Sequence, residues 1–102
     1  MKKRKFVDRI TVWIGKLGLN RYRDEYDNWC YGNEKQKHIF HLHPYNTHAD
    51  IEVNDSKKFD EFLEKFSIEP HSWHPNNLLI VDLVDEENFT VAKEIIEWVL
   101  RN

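Results

Sequence analysis

The chain has 102 residues, 40% hydrophobic and 14% aromatic, with 32% charged and a net charge of −3. These values describe one small globular domain with a well-solvated surface, and they exclude a disordered chain. The acidic balance leaves no overall basic field for nucleic acid or an anionic membrane, and the single cysteine, Cys30, rules out an intrachain disulfide or a cysteine-rich zinc motif.

Met1 to Lys5 is the one dense cationic run, read as a solvated terminus or the start of a helix. The basic-then-apolar order resembles a secretion signal only superficially, because Asp8 and Arg9 interrupt it and no small-residue cleavage site follows. No uncharged stretch is long enough to span a bilayer, so a soluble cytoplasmic protein is expected. From Lys3 to Leu17, Phe6, Ile10, Trp13, Ile14 and Leu17 recur at spacings of three and four, which predicts an amphipathic helix ended by Gly18.

Arg21 to Tyr31 carries two patterns. Tyr22, Tyr26 and Trp29 fit helical spacing, whereas Trp29 and Tyr31 alternate; the aromatics and the Gly32-Asn33 turn favour one strand ending near Tyr31. The next segment alternates cleanly, with His38, Phe40 and Leu42 on one side and Ile39, His41 and His43 on the other. Beyond Pro44-Tyr45-Asn46-Thr47, the residues Ala49, Ile51 and Val53 oppose His48, Asp50 and Glu52. A four-residue hairpin loop there pairs His43 with His48 and His41 with Asp50, placing all four on one face. A slip of one residue would scatter them.

Asp55 or Ser56 caps a helix whose buried stripe is Phe59, Phe62, Leu63 and Phe66, closed by Ile68-Glu69-Pro70. A proline-bounded loop, His71 to Asn77, leads to an aliphatic strand from Leu78 to Val84. Asp85 then caps a final helix with Phe89, Ala92, Ile95, Ile96 and Val99 inward. The order α-β-β-β-α-β-α predicts an α+β two-layer sandwich with a mainly antiparallel sheet of about four strands.

Helices covering the face of Phe40, Leu42, Ala49 and Ile51 would leave His41, His43, His48, Asp50 and Glu52 on the other, with Ile39, Ile80 and Asp82 among them. Three imidazoles and a carboxylate within cross-strand reach suit zinc, nickel or iron, or acid–base chemistry near neutral pH. The ordinary role of such histidines is to fill space and hydrogen-bond, and HxH spacing is a weak signal. His71 and His74 flank Trp73 in the loop, either as a lid or further ligands, or as the rim of a buried Trp73 that anchors the loop. Cys30 has no neighbours that would activate a thiolate. No phosphate loop, nucleophile elbow or HExxH motif is present. Tyr22, Tyr26 and Trp29 beside Arg21 and Arg23 are the sole feature of a nucleic-acid binder, without the electrostatic footprint.

The segment FHLHPYNTHADI, followed by EPHSWHPNN and a terminal helix, resembles small bacterial luciferase-like domains. Their pattern has a Gly-His-hydrophobic-His strand, an Ala-Asp-Ile strand start and a Glu-Pro-His segment before a proline. His41 and His43 fall on its histidines, Asp50 on its aspartate, and Glu69, Pro70, His71 and Pro75 on the later motif. Phe40 replaces the glycine, and Asn77-Leu78 stands where Gly-Trp is common. The likeness spans the C-terminal two thirds and implies a single α+β domain with His41, His43, Asp50 and His71 set apart. It supplies neither a reaction nor a cofactor.

Two functions fit these residues. One is a binding module using a face of His41, His43, His48, Asp50, His71 and Trp73, with a second copy or another protein as partner through Ile39 and Ile80. The other is a metal-dependent or acid–base enzyme, or a metal sensor, in which His41, His43, Asp50 and His71 hold a divalent metal and His48 assists.

Overall fold

A computed structural model of the chain describes residues 9–43 and 48–102. The start of the first helix, with Phe6 and the basic run, and the Pro44 to Thr47 turn lie outside the described residues. Helical residues 9–14 (α1) are followed by β1 (Asn20–Arg23), β2 (Trp29–Gly32), β3 (Phe40–His43), β4 (His48–Glu52), α2 (Ser56–Phe66), β5 (Glu69–Pro70), β6 (Leu78–Asp82) and α3 (Glu86–Arg101). The sheet runs β1-β2-β3-β4-β6-β5, every neighbour antiparallel. The class is α+β, as expected, with six strands where about four were predicted.

Both extra strands have physical reasons. The stretch read as one strand is a hairpin, because Asp24 Oδ1 accepts the backbone N–H groups of Tyr26 and Asn28, each at 2.9 Å. Asp27 takes a left-handed conformation (φ 66°) that aspartate tolerates better than most residues. Arg21 and Arg23 both lie over the Trp29 ring at 4.2 Å, tying β1 to β2. The other extra strand, β5, is two residues long and ends in Pro70, which an edge strand accommodates.

At the end of β2 the chain turns back on itself. A methyl group on Gly32 would sit 1.7 Å from the Lys37 carbonyl oxygen, so only glycine fits. Gly32→Ala should cost about 3 kcal/mol, the upper range for overpacking, read as a lowered urea midpoint. An unchanged midpoint would mean that this turn does not pack on the strand.

The helices end as their sequences dictate. Asp55 accepts the Lys58 N–H and Asp85 the Asn88 N–H, both at 2.9 Å, while Glu86 and Glu87 favour the positive end of α3. Gly18 (φ 67°) supplies the left-handed turn after α1. Ile10 and Ile14, Phe59 and Phe62, and Phe89, Ala92, Ile95 and Ile96 share one core with Tyr31, Phe40, Leu42, Ala49, Ile51, Leu79 and Val81. Those sheet residues pair directly with one another and so occupy one face. Among the described residues, no helix is long and apolar enough to cross a membrane.

The β3–β4 register is the one expected: His41 opposite Asp50 and His43 opposite His48. Before Phe40 the predicted alternation fails. Ile39 N–H donates to Tyr31 O at 2.8 Å although Tyr31 is paired with Phe40, so two residues oppose one, as in a β-bulge. The bulge sends Ile39 into the core, fully buried, and turns His38 towards the histidine face. Both placements reverse the expectation. Ile39 is therefore no part of an exposed surface for a second copy.

Candidate functional site

The face opposite the core is built from successive registered pairs. Cys30 on β2 opposes His41 on β3, which opposes Asp50 on β4, which opposes Ile80 on β6. One step along, His43 opposes His48 and His48 opposes Asp82. His71 follows β5 directly; its own N–H donates to Leu78 O at 2.8 Å, holding the residue against the sheet. This pairing of distant segments brings His71 to the histidine face.

Asp50 is the centre. Its side chain is fully buried, and four imidazole nitrogens surround it. Asp50 Oδ2 lies 3.0 Å from His41 Nε2, 3.1 Å from His43 Nε2 and 3.6 Å from His71 Nε2, while His48 Nε2 is 3.4 Å from Oδ1. Oδ1 accepts no hydrogen bond, and His48 Nε2 faces it at that distance. Burial pushes the Asp50 carboxyl up, but hydrogen bonds from His41 and His43 and the charge of those imidazoles outweigh it and hold the group well below the usual carboxylate range.

His41, His43 and Asp50 form the tightest group. His41 Nε2 and His43 Nε2 are 2.9 Å apart, closing a triangle with Asp50 Oδ2 whose sides run from 2.9 to 3.1 Å. Atoms about 2.1 Å from a common ion lie about 3.0 Å apart at right-angle coordination and about 3.4 Å apart at tetrahedral coordination. The triangle therefore has the dimensions of one face of an octahedron. Two imidazoles and one carboxylate on a face leave coordination positions free.

His71 differs from these three. Its Nδ1 accepts the Trp73 backbone N–H at 3.0 Å, so a neutral His71 carries its proton on Nε2, pointing at Asp50. In this geometry it turns its Nε2 proton towards the carboxylate at 3.6 Å rather than offering a lone pair. All four residues that the family resemblance sets apart thus lie together, with His71 in a different position. Trp73 does not anchor the loop: it is 78% exposed, the reverse of the buried reading, because the loop is held by His71 and by Leu78 N–H to His74 O at 3.1 Å.

Comparison of the chain with protein-family models, curated proteins and solved structures finds no match.

A cleft of about 480 Å³ opens over this cluster. His41, His43 and His71 line it together with Tyr22, Tyr26 and Trp73, and Tyr26 is 72% exposed. Sequence reasoning missed three further residues in this cleft: His38, Asp24 and Cys30. Cys30, His38 and His41 form a second group with metal-ligand spacing. Burial and the neighbouring Asp24 carboxylate push the Cys30 thiol up to about 11, so it is no nucleophile at neutral pH. Asp24 and Glu52 are both held below the usual carboxylate range despite burial, Asp24 by the Asn28 and Tyr26 N–H groups and Glu52 by His38 and Asn54. Only the bulge at Ile39 explains why His38 is present, and local spacing does not reveal it.

Proposed function

We propose that this protein binds a divalent transition-metal ion through His41 Nε2, His43 Nε2 and Asp50 Oδ2 and presents it to a small ligand entering the cleft. The triangle of donor atoms with 2.9 to 3.1 Å sides carries this reading. Asp50 Oδ1 supports it, since a buried carboxylate oxygen that accepts no hydrogen bond costs about 1–3 kcal/mol that a cation on the same carboxylate offsets. Imidazole and carboxylate together suit zinc, nickel or iron(II), and free positions on such a centre are what a substrate or sensed molecule occupies. The likeness to luciferase-like domains singles out these three residues together with His71.

Equilibrium dialysis tests the reading. One equivalent of zinc should be retained by the wild type and none by the His41→Ala/His43→Ala double variant. A wild type that retains no zinc, nickel or iron(II) would overturn it. The second reading, a module that binds a protein partner, is favoured by Trp73 and Tyr26 standing exposed beside the cleft. With Ile39 buried, Ile80 alone remains from the apolar pair proposed to join two copies.

A further inference from the structure

Resting on that metal reading, we infer that Glu52 and His38 form a strut that orients His41 and directs its Nε2 lone pair into the metal site. Glu52 Oε1 lies 3.1 Å from His38 Nδ1, and His38 Nε2 lies 2.8 Å from His41 Nδ1. A carboxylate only accepts, so His38 Nδ1 must donate to it. A neutral His38 then has only an acceptor left at Nε2, which obliges His41 Nδ1 to donate. A neutral His41 with its proton on Nδ1 has a free lone pair on Nε2, the atom 2.9 Å from His43 Nε2 and 3.0 Å from Asp50 Oδ2. Asp50 is also a carboxylate that only accepts, so a count begun there would put the His41 proton on Nε2; a metal ion held by Nε2 selects the Nδ1–H tautomer, the one the Glu52–His38 strut supports.

The same count leaves one link short of a proton, and the triangle of His41, His43 and Asp50 atoms puts a cation at the Asp50 end. Glu52–His38, His38–His41 and His41–Asp50 are three links, and two neutral imidazoles bring two protons. The third link needs either an extra proton or a metal ion. With the first two links filled from the Glu52 end, the vacancy falls between His41 and Asp50, within the triangle of ligand atoms.

The strut is itself held in place. Asn54 Nδ2 donates to Glu52 Oε2 at 2.9 Å, leaving Oε1 for His38. Gln36 Nε2 donates to both His38 O, at 2.8 Å, and Glu52 O, at 3.2 Å, clamping the two backbones across the bulge. The bulge at Ile39 therefore has a use, because unbroken alternation would put His38 on the core face. Partners that hold a metal-bound histidine through its other nitrogen commonly change metal affinity 10- to 100-fold. His38 and Glu52 are accordingly positioning residues.

Zinc affinity, measured by competition with a chromophoric chelator, tests the strut together with nitrogen-15 NMR of the zinc-loaded protein. His38→Ala and Glu52→Ala should weaken zinc about 10- to 100-fold at unchanged one-to-one stoichiometry. His38→Gln should restore most of that loss, because its amide oxygen accepts from His41 Nδ1–H; this variant also serves if His38→Ala fails to fold. A purely structural role would not be rescued this way, nor would it predict a slowly exchanging His41 Nδ1–H in the wild type that exchanges fast in His38→Ala. Unchanged affinity in His38→Ala would overturn the strut and leave the metal reading intact. A wild type that binds no zinc would remove both. Two zinc ions per chain, with one lost in Cys30→Ser, would also overturn it by making His38 a ligand of a second ion in the Cys30–His38–His41 group.

Discussion

Zinc at a hundredfold excess over its dissociation constant should raise the melting midpoint by about 10–20 °C. Binding to the folded state alone contributes about 2.7 kcal/mol at that excess. A domain of this size gains about 4–8 °C for each kcal/mol. Differential scanning fluorimetry with and without zinc reads the shift directly. The His41→Ala/His43→Ala variant should show none, since it keeps a single member of the triangle. His71→Ala should keep most of the shift, because His71 Nδ1 is already taken by the Trp73 N–H and its Nε2 stands 3.6 Å from the carboxylate. The two outcomes separate ligands from the residue that steadies them. A rise that survives loss of both His41 and His43 would place zinc elsewhere on the chain.

Such an experiment could have been designed from the sequence, and it matters which parts could not. The hairpin register followed from period-two alternation on both sides of a four-residue turn, so the pairing of His41 with Asp50 was legible in a dozen residues. The stripes and caps of α2 and α3 were legible for the same reason, as both helices are long enough for periodicity to show. What failed was whatever depended on a single irregular residue or on a partner far along the chain. Ile39 and Phe40 are both apolar, and no local pattern says that both turn inward; that depends on sharing Tyr31 as a partner. Tyr26 falls in helical phase with Tyr22 and Trp29, which masks a turn made by the Asp24 side chain. A large indole between two prolines suggests a buried anchor, yet backbone hydrogen bonds at His71 and His74 hold the loop and leave Trp73 outside. Residue-type arguments found the proposed ligands; only the three-dimensional register found His38 beside one of them.

The second large effect should come from Asp50 itself, without any metal. Asp50→Ala removes the one carboxylate at the centre of four imidazoles, and breaking a buried pair of this kind costs about 3–5 kcal/mol. A guanidinium melt at neutral pH measures it, with Asp50→Asn as the companion that keeps the volume and loses the charge. A large loss in both identifies the cause as electrostatic, whereas a loss confined to the alanine variant would make it a cavity effect. The pH dependence follows from the lowered ionisation of the Asp50 carboxyl. On acidification the unfolded chain protonates this group first, so the unfolded state binds more protons and stability rises with pH across that window. The contribution is complete at neutral pH and fades as pH falls below about 4, towards the depressed value of the folded state. The gap between wild type and Asp50→Asn should close over that acidic range. Persistence of the full gap well below pH 3 would mean that charge on Asp50 is not what the imidazoles respond to. The same charge has two uses in this reading: it steadies the cluster when no ion is present, and it balances the ion when one is bound.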